Sequence, residues 1–422
     1  MRTIKIGLLG LGTVGGGVVK LLQEHAAKIE QTTNVHFILK RVAVAHLNKP
    51  RKFSLPEETI LTDQIDEVLN DPEIQIIVET MGTINRARQA IVQAIYNHKS
   101  VITANKDLLA IDGPKLAQLA KSRHVDFLYE ASVAGGIPIL RVLSSSLVTD
   151  QITRVSGIIN GTANYILSAM VSDNLSYDKA LMNAQQKGYA EANPVNDVKG
   201  IDAANKLSIL SQFAFGKALD PTNLNVRGID QLTSAQLASA KQFGYTIKLL
   251  AIAKRLSNRL YTSVGPTLVD NNDQLAQVNG VQNAIAIESN ALGSSVYTGP
   301  GAGAKPTANS ILSDLAAAAN DILNYDCGNA FNNYHSELTP STLNNAPQSY
   351  LITIYGRSTR PVDSIDWQNE TSNHNYWSGL TPVISHKKLN LLLETIGNDF
   401  AVSYLPVYGT VKLQAIKEVK QN

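Results

Sequence analysis

The sequence has only one cysteine, Cys327, among its 422 residues. A disulfide framework needs paired thiols and a cysteine-rich metal site needs several, so both are excluded. One unpaired thiol is consistent with a reducing compartment.

The sequence also lacks a large excess of positive or negative charge. The formal net charge is +2, without a long run of Lys or Arg. Neither nucleic acid nor a membrane surface is therefore expected as a partner.

Long hydrophobic runs are missing as well. No stretch approaches the roughly 18 unbroken apolar residues that a membrane helix requires. Met1 and Arg2 precede apolar residues, as in a signal peptide, but glycines between Gly7 and Gly17 interrupt that run. We therefore expect a cytoplasmic protein. With 44% hydrophobic and 17% charged residues, the chain can bury a core, and its length suits two or three domains.

The first 130 residues alternate short apolar runs with helix-like segments. The candidate strands are Ile4–Leu9, Phe37–Ala45, Ile74–Glu79, Val101–Ala104 and Asp126–Glu130, and the candidate helices include Val14–Gln23 and Ala87–Tyr96. Strands separated by helices predict an α/β fold with a doubly wound parallel sheet. In such a sheet, ligands bind at the carboxyl ends of the strands.

The pattern changes from about Ile152. Strands Ile152–Ile159 and Thr246–Ala253 and helices Ala163–Val171, Tyr177–Lys187 and Ile201–Phe213 predict an α+β domain. We place the first domain at residues 1–135, with the helix of residues 304–325 packing back on it, and the second at 136–328. Residues 329–348 read as a linker because they are rich in Asn, Ser, Thr and Pro. Residues 350–422 hold a strand, a helix and a strand.

A glycine-rich turn opens the chain. Gly10, Gly12 and Gly15 form G-x-G-x-x-G between an apolar strand and a helical pattern, which is the context that dinucleotide binding requires. Gly10 permits the tight turn, Gly12 lets the backbone approach a pyrophosphate, and Gly15 lets helix and strand pack closely. The alternative is a glycine-rich turn without a ligand. The context favours a Rossmann-type nucleotide-binding domain.

The preference between NAD and NADP stays open at this point. An acidic residue at the end of the second strand would bind a ribose 2′-hydroxyl and favour NAD, but Ala45 and His46 stand there. Lys49, Arg51 and Lys52 follow and could bind a 2′-phosphate. They could equally form a solvated basic loop.

Two lysines and a group of carboxylates carry the remaining chemistry. Residues 188–206 contain four polar candidates: Glu191, Asp197, Asp202 and Lys206. Asp202 and Lys206 are four residues apart and would share one face of a helix that is otherwise largely apolar. The alternative is a surface ion pair. The second lysine, Lys106, follows the fourth strand and would lie at the cofactor edge of the sheet. Its alternative is an ordinary loop lysine.

Such groups suit a free amino acid that carries a carbonyl. Its ammonium group requires carboxylates. A carbonyl that accepts a hydride develops negative charge on oxygen, and a lysine offers both a cation and a proton. We therefore expect the loop at residues 103–106 and the helix from residue 201 to converge on one cleft.

Four separate motifs, in order, resemble homoserine dehydrogenases over about residues 4–325. They are Glu130–Pro138 (EASVAGGIP), Gly157–Leu167 (GIINGTANYIL), Ala184–Lys206, and Gly299–Gly303 (GPGAG). The resemblance implies reduction of aspartate semialdehyde to homoserine, reversibly, in threonine and methionine biosynthesis. It also implies a homodimer formed through the second domain, or a homotetramer.

The resemblance assigns roles to individual residues. Lys206 would be the proton donor, oriented by Asp202, with Lys106 beside the nicotinamide and the substrate. Glu191 and Asp197 would hold the amino group. Thr13, Val14, Thr80 and Gly303 would join Gly10, Gly12, Gly15 and Lys106 in holding the cofactor. A sodium ion would be bound by Glu130 and the carbonyls of Val133, Gly135 and Ile137, since oxygen ligands suit a hard cation. The alternative for this last group is a structural turn.

The chain departs from the family pattern at three places. Asn193 stands where members often have Asp, and Ala45-His46 stands where many have Arg-Asp, so NAD and NADP both remain possible. The C-terminal segment resembles the regulatory ACT module of longer members, but it is short and lacks a clear first helix. Feedback by threonine is therefore an open question.

Two other functions compete with this one. Aspartate-semialdehyde dehydrogenase needs a thiol nucleophile, and Cys327 lies beyond the GPGAG helix. A non-catalytic NAD(P)-binding sensor could keep the fold, but it would have no need of Lys106, Glu191, Asp202 and Lys206 together.

Overall fold

The structure is a computed structural model that describes residues 1–51, 53–361 and 365–409. Lys52 lies outside the described residues. The strands are β1 (Arg2–Leu9), β2 (Val35–Ala43), β3 (Ile60–Thr62), β4 (Ile76–Glu79), β5 (Ser100–Thr103), β6 (Phe127–Leu128), β7 (Ile152–Ile158), β8 (Tyr245–Leu256), β9 (Arg259–Asp270), β10 (Gln282–Ser289), β11 (Gly293–Pro300), β12 (Thr339–Thr342), β13 (Tyr350–Tyr355), β14 (Asn369–Ser372), β15 (Tyr376–Leu380) and β16 (Val402–Pro406). The helices are α1 (Thr13–Glu24), α2 (Ala26–Thr33), α3 (Ile65–Leu69), α4 (Ile84–Tyr96), α5 (Lys106–Ser122), α6 (Ile139–Arg141), α7 (Gly161–Ser172), α8 (Tyr177–Gln186), α9 (Val195–Val198), α10 (Ile201–Phe215), α11 (Ser234–Gln242), α12 (Ala304–Asn324) and α13 (His386–Gly397).

The first sheet confirms the predicted doubly wound fold. Its six strands run in the order β3-β2-β1-β4-β5-β6, and the neighbouring strands pair in parallel. The strand order reverses between β1 and β4, so the loops after these two strands diverge and leave a crevice at the carboxyl edge. Leu9, Glu79 and Thr103 end β1, β4 and β5 at matching register, which brings the three following loops to that one edge.

Close helix packing covers one face of this sheet. Alternating β1 residues Ile4, Ile6 and Leu8 share a buried cluster with Ile311 and Leu315 of α12. A Cβ atom at Gly17 of α1 would lie 2.4 Å from the carbonyl oxygen of Ala304, so the glycine lets α12 approach α1. One predicted strand is shorter than expected: β6 covers only residues 127 and 128, and Glu130 begins a short 3₁₀ helix instead.

The second sheet is mixed and has the order β11-β10-β7-β8-β9-β12. Strands β8 and β9 form a long antiparallel hairpin from Tyr245 opposite Asp270 to Leu256 opposite Arg259. The prediction of a linker at residues 329–348 is wrong in part, because Thr339–Thr342 form β12 and pair in parallel with β9. Pro340 contributed to the linker prediction, since proline is depleted from sheets. An edge strand such as β12 tolerates proline because one side of its backbone needs no partner.

The third sheet is antiparallel, with the order β14-β15-β13-β16. The alternating residues Tyr350, Ile352 and Ile354 of β13 bury one face against Leu389 and Leu392 of α13. Among the described residues, no helix lies between β13 and β14. In this described part of the chain the predicted strand, helix and strand are present as β13, α13 and β16, whereas β14 and β15 were not predicted. The ACT-like nature of the segment stays a prediction.

The residues group into two compact units. Unit 1 comprises residues 1–155, 205–223 and 283–338, and unit 2 comprises 156–204, 224–282 and 339–422. The predicted division into functional domains stays a prediction. In the part of the chain that the structure describes, every helix is too short or too polar to cross a membrane.

Candidate active site

The glycine turn between β1 and α1 is built by backbone contacts. Gly10 has φ +93°, and a Cβ atom at Gly15 would lie 2.2 Å from the carbonyl oxygen of Gly10. The hydroxyl of Thr80 donates to that same oxygen at 2.9 Å. Gly12 is the N-cap residue before α1 and gives it no side-chain cap, and a Cβ atom there would meet nothing within 4 Å. The first amides of α1 therefore face open space at the positive end of a helix dipole, which suits a phosphate.

A cleft of about 1140 Å³ opens over this turn, entirely within unit 1. The predicted cofactor residues Gly10, Gly12, Thr13 and Thr80 line it. The others, Val14, Gly15, Lys106 and Gly303, are not among its lining residues, and Val14 instead packs against the core cluster. Gly303, with φ +128°, begins α12 without a side-chain cap, and its neighbours Ala304 and Lys305 line the cleft.

The cleft is strongly basic. Its charged lining residues are Lys20, Lys49, Arg51, Arg86 and Lys305, against the single acid Glu24. Arg51 donates to the carbonyl oxygens of Leu47 at 2.8 Å and His46 at 3.0 Å, so its guanidinium is fixed beside the turn that follows β2. This fixed position was not predictable from the sequence, which left Arg51 in a basic loop.

The loop that carries Lys106 is held by a buried carboxylate. Glu79, at the end of β4, accepts hydrogen bonds from the hydroxyl of Thr103 at 2.6 Å and from the amide of Met81 at 2.6 Å. Thr103 accepts in turn from the amide of Asn105, whose side chain caps α5. Burial raises the pKa of Glu79, and these hydrogen bonds oppose the rise. Glu79 was not predicted to have a role, although an acid at the end of an apolar strand is a usable signal.

Lys106 is the first residue of α5, with about a third of its side chain exposed. The next residue, Asp107, accepts a hydrogen bond from the side chain of Asn205 at 2.9 Å. Asn205 directly precedes Lys206, which is 9% exposed. The start of α5 and this turn of α10 thus contact each other within unit 1.

The acidic cluster of unit 2 is organised by Asn160. Its side-chain nitrogen donates to Asp197 at 2.6 Å and to Asp202 at 2.8 Å. Its side-chain oxygen accepts from the amide of Ala163 at 2.8 Å and caps α7. Asn160 belongs to the predicted GIINGTANYIL motif, but no function was predicted for it. Its position before a helix predicts the cap, whereas nothing local predicts the two carboxylates.

Glu191 belongs to an exposed segment that the turn of residues 160–162 holds in place. The hydroxyl of Thr162 donates to the carbonyl oxygen of Tyr189 at 2.6 Å, and the rings of Tyr165 and Tyr189 contact each other in a tilted arrangement with their centroids 5.0 Å apart. The Glu191 carbonyl oxygen accepts from Gln185 at 3.2 Å. Asn160 and Thr162 therefore bind the segments on both sides of Glu191, one through Asp197 and the other through Tyr189.

The predicted sodium ligands lie in one tight turn of unit 1. Ala134 and Gly135 both have left-handed backbones, with φ +53° and +50°, and the Gly135 carbonyl oxygen accepts from Ser310 at 2.6 Å. The carboxylate of Glu130 is 1% exposed and accepts from the amides of Leu140 at 2.8 Å and Arg141 at 2.7 Å.

A second buried carboxylate, Asp314, completes this cluster. It accepts from the amide of Glu130 at 2.9 Å and pairs with the guanidinium of Arg141. Burial raises the pKa of Asp314 to about 7, and the attraction of Arg141 opposes the rise. Two carboxylates thus face one guanidinium.

Cys327 has no part in these sites. Burial, followed by the nearby Asp126 carboxylate, raises the pKa of its thiol to about 12. Because the thiolate and not the thiol is the nucleophile, this cysteine is inert at neutral pH.

Known proteins match the chain over most of its length. The family described as homoserine dehydrogenase, NAD binding domain, matches residues 10–130, and the family described as homoserine dehydrogenase matches residues 138–316. A homoserine dehydrogenase of Bacillus subtilis (strain 168) is 42% identical over 331 residues, which cover 78% of this chain and 76% of the relative. The chain belongs to the homoserine dehydrogenase family.

Solved homoserine dehydrogenases also share the fold. One from Thiobacillus denitrificans is 35% identical and matches 98% of this chain and 99% of its own, with a TM-score of 0.91. One from S. aureus is 31% identical and matches 97% and 100%, with a TM-score of 0.78. The predicted family and fold are confirmed. The chain is an oxidoreductase, and its first unit holds a nicotinamide-cofactor domain.

Proposed function

We propose that this chain interconverts L-aspartate 4-semialdehyde and L-homoserine at the residues that the sequence analysis selected. The observation that carries the proposal is the hydrogen bond between Asn205 and Asp107. It supports a shared site because each partner is the immediate neighbour of a candidate lysine, Lys206 and Lys106 respectively. Two amines at one site can stabilise an oxygen that gains negative charge.

Lys206 is the proposed proton donor. The reduced nicotinamide, when bound, supplies the hydride to the aldehyde carbon, and the carbonyl oxygen then takes a proton from the Lys206 ammonium group. In the oxidative direction Lys206 removes the hydroxyl proton of homoserine. Asp202, four residues earlier on α10, orients Lys206, and Lys106 stands beside the nicotinamide and the substrate.

The substrate ammonium group requires carboxylates, and we assign Glu191 and Asp197 to it. Both belong to the unit 2 segment that the turn at Asn160–Thr162 binds through hydrogen bonds. Charge-assisted hydrogen bonds of this kind are the stronger class, so they can select an amino acid over a simple aldehyde.

The cofactor site is proposed at the basic cleft. Gly10, Gly12, Thr13, Val14, Gly15 and Thr80 would hold the pyrophosphate turn, with Gly303 and Lys106 nearby. NADP is favoured over NAD because Arg51 is fixed beside the end of β2, where the ribose 2′-phosphate would lie.

A sodium ion is proposed at the turn of residues 130–137. Glu130 and the carbonyls of Val133, Gly135 and Ile137 are oxygen donors of the kind that hard cations prefer. The buried carboxylates of Glu130 and Asp314 support this, because burial disfavours their charged forms and a monovalent cation beside them would stabilise those forms. Such a cation would also hold the turn.

The assembly and cellular setting follow from the family resemblance. We propose a homodimer, or a homotetramer built from it, formed through the domain of residues 136–328. The proposed setting is the cytoplasm, in threonine and methionine biosynthesis, with residues 350–422 as a reduced ACT-like module. A light-scattering mass equal to one chain would contradict the dimer.

Replacing Lys206 by alanine tests the catalytic assignment. We expect kcat for homoserine oxidation to fall at least about 10²-fold, the scale of general acid–base catalysis. Cofactor binding, measured by fluorescence of bound NADPH, should change little. Unchanged turnover would remove Lys206 from the mechanism. A wild-type chain without any homoserine-dependent turnover would favour the sensor alternative, which otherwise has no support.

A further inference from the structure

Asn160 makes three hydrogen bonds with its side chain and is 5% exposed. Its nitrogen has two hydrogens, and each is donated to a different carboxylate, that of Asp197 on α9 and that of Asp202 on α10. The residues are 37 and 42 positions away in sequence. A single amide thus joins two helices that carry proposed substrate-site groups.

The orientation of this amide is set by the backbone. Its oxygen accepts from the Ala163 amide, one of the first amides of α7, which have no partner inside the helix. A flipped side chain would present its nitrogen to that donor and its oxygen to the two carboxylates. Both changes are unfavourable, so the helix cap directs the nitrogen towards the acids.

The neighbouring contacts prevent the turn itself from shifting. A Cβ atom at Gly161 would lie 2.8 Å from the carbonyl oxygen of Val281, so the turn packs directly on that segment. Thr162 binds the backbone at Tyr189, two residues before Glu191. The turn of residues 160–162 therefore has a fixed place relative to each segment that carries an acid.

We propose that Asn160 is a positioning residue that holds Asp197 beside Asp202 and thereby sets the affinity for the substrate ammonium group, which Asp197 binds. This inference rests on the proposed function. Two carboxylates close enough to share one nitrogen repel each other, and the two N–H groups offset that repulsion. Without these N–H groups Asp197 would shift away from Asp202, and the substrate ammonium group would lose one of its carboxylate partners.

Two substitutions separate the bridging role from the capping role. Asn160→Asp keeps an oxygen that caps α7, because Asp and Asn are equally good caps, but it has no donor for the acids. Asn160→Ser keeps the cap and one donor, and adds no charge. We expect KM for homoserine to rise at least about 10-fold in Asn160→Asp and less in Asn160→Ser, since hydrogen bonds to charged groups are the stronger class and only Asn160→Asp loses both of them. KM for the cofactor should stay within about 2-fold of wild type, because Asn160 lies in unit 2, outside the basic cleft.

Binding provides a readout that does not depend on turnover. Homoserine should raise the Tm of the wild-type protein in the presence of NADP⁺, because a ligand that binds only the folded state stabilises it. The shift should shrink in Asn160→Ser and vanish in Asn160→Asp at the same homoserine concentration. The matched control is Ser176→Ala, which removes the cap of a neighbouring helix, α8, and should lower Tm without changing KM for homoserine.

The outcomes distinguish this inference from the proposed function. An active wild type whose Asn160→Asp and Asn160→Ser variants keep wild-type KM and Tm shift would overturn the role of Asn160 alone. A lower Tm together with similar rises in KM for homoserine and KM for the cofactor, as expected of a general fold defect, would also overturn it. If Asn160→Asp does not fold, Asn160→Ser decides. A wild type that neither oxidises nor binds homoserine would overturn both proposals.

Discussion

The glycine turn of unit 1 and the acidic cluster of unit 2 are built in different ways. The turn uses backbone conformation within six consecutive residues, with Gly15 packed against the Gly10 carbonyl. The cluster uses side chains from two distant parts of the chain, with Asn160 in one and Asp197 and Asp202 in the other. A backbone site tolerates no added atom where backbone segments touch, as at Gly15, whereas a side-chain site tolerates changes of size but not of hydrogen-bonding type. Their mutational responses should therefore differ in kind.

Gly15→Ala should have the largest effect, because it would break the backbone-built site. The added Cβ atom would lie 2.2 Å from the Gly10 oxygen, so the turn must open. Overpacking of this kind costs about 1–3 kcal/mol, and a displacement near 1 Å at a binding turn can cost about 10²-fold in activity. We expect kcat/KM for the cofactor to fall about 10²-fold, with a lower Tm by calorimetry.

Two glycine controls sharpen this result. Gly113→Ala, inside α5, meets only ordinary contacts at 3.7 Å and should leave activity unchanged. Gly12→Ala has no neighbour within 4 Å, so it should fold as wild type yet bind the cofactor more weakly, because the methyl group occupies the space of the phosphate. A Gly15→Ala protein with normal cofactor affinity would contradict the expectation that the backbone-built turn cannot accommodate a Cβ atom at this position.

Arg51→Ala should have an intermediate effect, since it removes one of several basic side chains from the cleft and leaves the backbone-built turn intact. We expect KM for NADPH to rise about 10-fold and KM for NADH to change little, since an arginine–phosphate pair contributes on the order of 1.5–3 kcal/mol. The control is Arg88→Ala, whose guanidinium pairs with Asp112 outside the cleft lining. Equal changes for both cofactors would remove Arg51 from the 2′-phosphate site.

Asp126→Asn should have the smallest effect on activity, because it lies away from both sites and changes stability alone. Burial raises the pKa of Asp126 from 3.8 to about 6, although the Gly328 amide donates to it at 2.9 Å. The folded chain thus binds this proton more tightly than the unfolded chain does. The resulting stability is complete below about pH 4 and is lost as the pH rises through about 6.

The asparagine variant keeps the acceptor for Gly328 and has no proton to lose. Its Tm, followed by calorimetry between about pH 4 and 6, should fall less steeply than that of wild type. Over this range the free energy of unfolding of wild type should fall by on the order of 2–3 kcal/mol more than that of the variant. Activity at neutral pH should match wild type. Parallel Tm profiles for the two proteins would show that Asp126 does not titrate in this window.

Several features were predictable because they are local. The β-α alternation and the glycine spacing indicated the parallel sheet and the turn, and both are present. The strand β12 was missed because its sequence resembles a loop, and only its pairing with β9 makes it a strand. Glu79 was missed for a related reason: its partners Thr103 and Asn105 are neighbours only after β4 and β5 pair.

The sequence by itself determined the family, the fold class and the chemical identity of the candidate groups, because residue spacing and turn chemistry act over a few residues. The tertiary structure alone decided which groups meet. Asn205 reaches Asp107 across 98 residues, and Asn160 reaches Asp202 across 42. Contacts at such separations depend on how whole helices and strands pack, and no short pattern in a chain records that packing.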